Sequence, residues 1–194
     1  LIDNEFFKYS NLIEEILPKK SFEKSFFVGT ELTTSEIKLA DAILCRSVTK
    51  LNQEFIKDSQ ISVIASATSG KDHISDDLIN SKNYQTFFSS GANAWSVVHY
   101  VMAVIETLIT RELFSSQKSV GIIGHGNIGK RLGKTLSVFN IPWYANDPFL
   151  EDENLVDLET IFNCDLISIH TPFTRQGEHP TYQLINKNNI KSLT

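Results

Sequence analysis

Short apolar runs alternate along the first ninety residues with segments whose apolar positions recur every three or four residues. Residues 6–17 place Phe7, Leu12, Ile13 and Ile16 at helical spacing ahead of Pro18. Leu1 reads as the tail of a strand, and Phe26-Phe27-Val28 as a short strand ending at Gly29. Thr33-Thr34-Ser35-Glu36 supplies caps for a short helix, and Ala42-Ile43-Leu44-Cys45 is a buried strand. A helical pattern over 52–56 precedes a β-branched run at 61–67, which Thr68-Ser69-Gly70 ends. Residues 74–79 are again helical, and Thr86-Phe87-Phe88 is extended. Strands apolar throughout and separated by helices predict a parallel sheet covered on both faces.

From residue 92 to 111 runs a long helix with Trp95, Val98, Met102, Ile105 and Leu108 along one stripe, entered through Ser90 or Asn93 as its cap. Ser115-Ser116-Gln117-Lys118 then connects to the strand Val120-Gly121-Ile122-Ile123. That strand enters Gly124-His125-Gly126-Asn127-Ile128-Gly129, and a helix follows over 128–139. A strand from Ile141 to Asn146 ends at Asp147-Pro148, Glu151-Asp152-Glu153-Asn154 is a solvated acidic loop, and a helix at 155–162 leads to a strand at 165–169. This order divides the chain into residues 1–91, a connecting helix and linker at 92–118, and a second domain at 119–194. The chain begins without methionine and stops at Ile190-Lys191-Ser192-Leu193-Thr194 after a helix-like segment, so it reads as a piece of a longer protein.

The glycine loop carries the sharpest chemistry. In a strand, tight turn and helix, the first glycine permits the turn, the second lets backbone approach a pyrophosphate, and the third lets helix and strand meet. The helix N-terminus adds N–H groups and a positive dipole end. Asp147 lies about twenty residues on, where a Rossmann unit places the acid that holds a ribose 2′-hydroxyl and repels a 2′-phosphate. The cofactor expected is therefore NAD. The plain alternative is that Asp147 only opens the turn before Pro148.

Composition narrows the class without deciding it. The chain has 194 residues, is 41% hydrophobic, and carries a net charge of −5 with no basic block, which argues against a nucleic-acid partner. No signal peptide is visible at the acidic start, and the apolar stretch 95–108 carries His99 and Glu106, too short and polar for a membrane span. A cytoplasmic location is expected. Cys45 and Cys164 read as buried free thiols.

Ligands of open α/β sheets gather beyond the carboxyl ends of strands. Two loops there suit an anion: Cys45-Arg46-Ser47-Val48-Thr49-Lys50, and Ala67-Thr68-Ser69-Gly70-Lys71-Asp72-His73 with its small residues. Ordinary turn and capping chemistry is the alternative for each. His73 is expected to orient its loop and His170 to line a pocket; His99, His125 and His179 suggest no acid–base pair. No Cys/His spacing points to a metal, and no G-x-S-x-G or Ser/His/Asp order points to hydrolysis.

The order of α/β domain, long helix and Gly-Ile-Ile-Gly-His-Gly-Asn-Ile-Gly resembles the D-isomer-specific 2-hydroxyacid dehydrogenases. The loops at 42–50 and 67–73, the short link before Val120, and His170-Thr171-Pro172 through Gly177-Glu178-His179-Pro180-Thr181-Tyr182 carry the likeness. The resemblance implies an α/β fold: a flavodoxin-like substrate domain, then a Rossmann NAD-binding domain truncated at the C-terminus. It implies NAD-dependent oxidation at C2 of a small phosphorylated hydroxy acid, 4-phospho-D-erythronate, in vitamin B6 synthesis. It assigns Gly124, Gly126, Asn127, Ile128, Gly129, Asp147 and Thr171 to NAD. Ser47 and Thr68 would meet substrate, Arg46 its phosphate, and the backbone of Ser69 and Gly70 its carboxylate. It also implies a homodimer, with the helix at 95–108 in the interface. The family's catalytic Arg, Glu and His would lie beyond Leu193, so no catalytic residue is assigned and the chain alone is expected to be inactive. His125 departs from the apolar residue commoner there. Rival readings are a phosphoglycerate or glyoxylate dehydrogenase, an NADH-sensing binding protein on the same fold, and a methyltransferase, the last disfavoured by the three-glycine spacing.

Overall fold

The computed structural model describes residues 1–17, 21–187 and 189. The expectations about Pro18 and about 190–194 fall outside the described residues. The chain divides into two units, Leu1–Ala92 and Asn93–Thr194.

In the first unit, strands β1 (Ile2–Asp3), β2 (Phe26–Phe27), β3 (Ala42–Cys45), β4 (Val63–Ser66) and β5 (Gln85–Phe88) form one sheet in the order β2-β1-β3-β4-β5. All pairings are parallel. This is the flavodoxin-like order, whose switch point lies between β1 and β3. Helices α1 (Ser10–Ile16), α2 (Thr34–Ile37), α3 (Gln53–Ile56) and α4 (Asp76–Ile79) connect the strands. Ile37, Ile43, Cys45, Ile56, Ile64 and Leu78 share one buried core. The short helices start where their caps dictate. Thr33 and Glu36 form a reciprocal capping box, and Asn52 Oδ1 accepts from Phe55 N at 2.8 Å.

The segment at 6–17 differs from its expected single helix. Asn4–Tyr9 is a 3-10 turn that passes into α1, and neither piece buries a residue. Phe7, Leu12 and Ile16 are each more than half exposed. The spacing was helical, but its cover is partial: the Phe7 ring meets Phe26 edge-on with centroids 5.4 Å apart and Ile13 is half-buried, while Leu12 and Ile16 stay exposed.

The second unit holds α5 (Ala94–Thr110), β6 (Val120–Ile123), α6 (Asn127–Val138), β7 (Trp143–Asn146), α7 (Leu158–Phe162) and β8 (Leu166–Ile169). Its sheet is parallel in the order β7-β6-β8. Every residue of β6 is buried, as expected for an apolar central strand covered on both faces. Val98 and Ile105 of α5 join Val120, Ile122, Leu132 and Leu136 in the core, with Met102 and Leu108 against it. Trp95 leaves that stripe: it is 53% exposed, with the Arg131 guanidinium 5.9 Å from its ring centroid. Asn93 occupies the N-cap position of α5 without closing a side-chain cap bond. Gly133 lies under the Trp143 ring, where an added Cβ would stand 2.8 Å from ring carbon. Both cysteines are buried and unpaired. No helix among the described residues is long and apolar enough to cross a membrane.

Candidate functional site

The glycine loop begins where β6 ends. Gly124 has φ +93° and donates its N–H to Asn146 O at 2.8 Å. A Cβ there would lie 2.7 Å from the His170 carbonyl oxygen, so a side chain is barred by both conformation and space. A Cβ on Gly129 would run into the Gly124 carbonyl, and its absence lets α6 start tight against the turn. Gly126 has nothing within 4 Å of its missing Cβ. Gly126 is the N-cap of α6, whose first-turn N–H groups have no carbonyl within the helix to receive them. The result is a donor-rich cradle without side-chain obstruction, fit for a pyrophosphate.

Asp147 extends from the end of β7 toward the same turn. Its Oδ2 accepts from His125 N at 2.9 Å, and its Oδ1 accepts from Phe149 N at 3.1 Å. The carboxylate thus opens the turn at Pro148 and also braces the glycine loop. Each oxygen keeps acceptor capacity for a hydroxyl donor.

A cleft of about 690 Å³ opens beyond the carboxyl ends of β6, β7 and β8. Since β7 and β8 flank β6 on opposite sides, the cleft sits at the switch point of this sheet. Gly124, Gly126, Asp147, His170 and Thr171 line it. Three expected cofactor residues do not: Asn127 is exposed, Ile128 packs toward the core, and Gly129 is buried against the turn. These three form the first turn of α6. Phe149 and His179 were not singled out from sequence as cofactor residues, yet both line the cleft with rings edge-on at 5.4 Å. Nothing local in the sequence marked them, since the 71% exposure of Phe149 is visible only once the fold is known.

The histidines here are held by burial. His170 Nε2 lies 2.9 Å from Ser168 Oγ, and burial pushes its pKa below the usual histidine range. His125 stacks on Trp143 with ring centroids 5.9 Å apart. Burial first, and the Lys130 charge second, lower its pKa. It packs within the loop as a neutral ring, with Nδ1 buried and unpartnered.

In the first unit, the loops after β3 and β4 are neighbours because Cys45 pairs in register with Ser66. Arg46 is not a loose surface cation. Its Nε donates at 3.0 Å to Oδ1 of Asp3, a carboxylate only 1% exposed at the end of β1. Glu5 N donates to the same oxygen at 3.0 Å. A Cβ on Gly29 would strike Asp3 Oδ2, so glycine is required beside this carboxylate. Asp3 and Arg46 therefore meet at the switch point of the first sheet, with the Arg46 terminal nitrogens making no bond among the described residues. Sequence reasoning passed over Asp3, which read only as part of an acidic start.

Ser47 is exposed on the same loop. Ser69 Oγ donates to Ser89 O at 3.1 Å and accepts from Gly91 N at 3.2 Å, a tie between the ends of β4 and β5. A Cβ on Gly70 would lie 2.9 Å from Asp72 Oδ1. Thr68 Oγ1 donates to Gly70 O at 3.0 Å. His73, 4% exposed, orients this loop from beneath, with Nε2 2.8 Å from Ser66 Oγ.

A flavodoxin-like parallel unit followed by a Rossmann unit with its glycine turn at the switch point defines a dinucleotide-binding α/β protein. Residues 106–194 match the family described as D-isomer specific 2-hydroxyacid dehydrogenase, NAD binding domain. The erythronate-4-phosphate dehydrogenase of Ruthia magnifica subsp. Calyptogena magnifica is 37% identical over 171 residues, covering 86% of this chain and 50% of that protein. That of Wigglesworthia glossinidia brevipalpis is 37% identical over 193 residues, covering 96% and 50%. NAD⁺-bound 3-phosphoglycerate dehydrogenase of Entamoeba histolytica superposes with a TM-score of 0.76 at 27% identity, covering 96% of this chain and 64% of the other. The D-lactate dehydrogenase of Aquifex aeolicus gives the same TM-score of 0.76 at 21% identity, covering 99% and 65%, and speaks to the fold alone. Residues 106–194 belong to the NAD-binding domain of the D-isomer-specific 2-hydroxyacid dehydrogenase family, and the chain spans about half the length of the curated relatives it matches. Its cofactor is NAD, which the open Gly126 cradle and the Asp147 carboxylate fit.

Proposed function

We propose that the whole protein oxidises 4-phospho-D-erythronate at C2, yielding the 2-oxo acid, NADH and a proton, within vitamin B6 synthesis in the cytoplasm. The observation that carries this reading is the shared extent of the erythronate-4-phosphate dehydrogenases, whose likeness runs through both units. NAD, when bound, takes up the hydride. The chain's own part is binding. Gly124, Gly126 and the helix start at Asn127, Ile128 and Gly129 cradle the pyrophosphate, Asp147 accepts from the ribose hydroxyls, and Thr171 walls the cleft. In the first unit, Arg46, held by Asp3, receives the substrate phosphate, while Ser47 and Thr68 meet the rest of the substrate and the backbone at Ser69 and Gly70 meets its carboxylate.

The proton acceptor and the arginine that holds the carboxylate belong to sequence beyond Leu193. Residues 1–194 alone should therefore show no turnover. The full protein should prefer 4-phosphoerythronate to 3-phosphoglycerate and glyoxylate in kcat/KM, and a reversed preference would overturn the substrate. Turnover by the 194-residue chain would overturn the placing of the catalytic groups. The whole protein is read as a homodimer through α5.

A further inference from the structure

We infer that Thr68 reads a hydroxyl group of the ligand, and that buried Ser66 and His73 fix it in that role by setting the direction of its proton. Three hydrogen bonds run in series. His73 Nε2 lies 2.8 Å from Ser66 Oγ, Ser66 Oγ lies 2.8 Å from Thr68 Oγ1, and Thr68 Oγ1 lies 3.0 Å from the Gly70 carbonyl oxygen. A carbonyl can only accept, so Thr68 donates its one proton to Gly70. Ser66 must then donate to Thr68, which leaves Ser66 only a lone pair for the histidine. His73 therefore donates from Nε2. This is the one polarity that satisfies all three bonds.

The far end of the relay agrees. His73 Nδ1 is buried with no partner in the structure, as expected of a neutral ring whose proton sits on Nε2. Burial lowers the pKa of His73 and favours that neutral form. Protonating the ring would still leave a proton on Nε2, so the direction of the relay does not depend on pH.

Thr68 Oγ1 consequently has its proton committed and one lone pair occupied. Its remaining lone pair accepts a donor and offers nothing to an anion. A phosphate or carboxylate oxygen is the wrong partner for it, whereas a ligand hydroxyl is the right one. The reacting C2 hydroxyl must give its proton to a base during oxidation, so the hydroxyl left for Thr68 is the one on C3. A C3 hydroxyl is present in 4-phosphoerythronate, whereas C3 of 3-phosphoglycerate carries the phosphate ester instead. This assignment rests on the substrate proposed above and on Thr68 as one of its contacts.

Two measurements separate the relay from the substrate. Nitrogen NMR of the His73 ring in the full protein without substrate should show the proton on Nε2, and a proton confined to Nδ1 would overturn the relay whatever the substrate is. In kinetics, Thr68→Val should lower kcat/KM for 4-phosphoerythronate about tenfold, the order expected for one lost neutral hydrogen bond. It should leave the 3-deoxy analogue, 2-hydroxy-4-phosphobutanoate, within about twofold of wild type. Thr68→Ser, which keeps the hydroxyl, should retain the preference. Ser66→Ala should weaken it and Ser66→Thr should restore it. Equal losses on both compounds, or no loss on either, would overturn the reading of Thr68. Should Thr68→Val fail to fold, the Ser66 pair and Thr68→Ser carry the same comparison. Absence of any turnover of 4-phosphoerythronate by the wild-type full protein would defeat the proposed substrate instead, with the NMR result still deciding the relay.

Discussion

Gly126 and Gly129 sit three residues apart and answer different demands. Gly129 is needed by the fold, because any Cβ there meets the Gly124 carbonyl and pushes α6 off the turn. Gly126 is open to the cleft, so its bareness serves the ligand. Gly129→Ala should cost roughly 1–3 kcal/mol of stability, the range for forced overpacking. Gly126→Ala should melt within a degree or two of wild type (about 0.5 kcal/mol or less) yet weaken NAD binding, read by titration of the full protein. A normal melt for Gly129→Ala, or unchanged NAD affinity for Gly126→Ala, would reverse these assignments. Cys45 gives a second test at this scale. Burial pushes its thiol up to about 11. At pH 8 only about one molecule in a thousand would hold the reactive thiolate. Alkylation of Cys45 should therefore be negligible in the native protein and prompt after denaturation, as read by peptide mass. Residues whose role is set by their own backbone, such as Gly124, were legible in the sequence. Asp3 was not: a carboxylate two residues after the first becomes buried only because β1 is flanked by β2 and β3, strands from far along the chain.

Among the elements, those fixed by local chemistry were the most legible. The Thr33/Glu36 pair starts α2, Asn52 starts α3, and Ala42–Cys45 is strand from end to end. Thr33 Oγ1 accepts from Glu36 N while Glu36 Oε2 accepts from Thr33 N at 2.8 Å, so two orphan donors at the start of the helix depend on one another. Thr33→Ala should cost about 1 kcal/mol, measured by denaturant unfolding, with Thr33→Ser close to wild type. A loss below roughly 0.3 kcal/mol would mean that solvent satisfies that end equally well. Periodicity misled where it could not see its cover. The stripe at residues 6–17 repeats helically, but burial depends on what lies opposite, and the described part of the first unit leaves Phe7, Leu12 and Ile16 exposed. Trp95 continues the α5 stripe in sequence, yet it lies at the end of the helix and meets Arg131 instead of the core.

At the scale of the molecule, parallel sheets were legible because apolar strands alternate with helices, whereas strand order followed only from the family resemblance, since pairing joins distant segments. That order decides where chemistry can sit. It brings Asp3 to Arg46 in one unit and Gly124 to Asp147 and His170 in the other. The same burial that builds these sites makes the protein sensitive to mild acid. His73, in the first unit, and His125 and His170, in the second, all have pKa values lowered chiefly by burial. In the unfolded chain each takes up its proton near the ordinary value of about 6.5. Between that value and the lower folded ones, the unfolded state binds more protons, so stability rises with pH and is lost as pH falls. The exposed carboxylates of Asp152, Asp157 and Asp165 are lowered chiefly by hydrogen bonds from backbone N–H groups. Their contribution is present above the ordinary carboxylate range and lost only below it, in a separate and more acidic window. Melting temperature should therefore drop from pH 7.5 to pH 5.5, above the window in which these three carboxylates take up protons. His73→Gln, which keeps a donor for Ser66 and removes one buried titrating ring, should flatten part of that slope. A melting temperature that is constant or rising as pH falls over this interval would show that burial does not hold the three rings below their unfolded-state values.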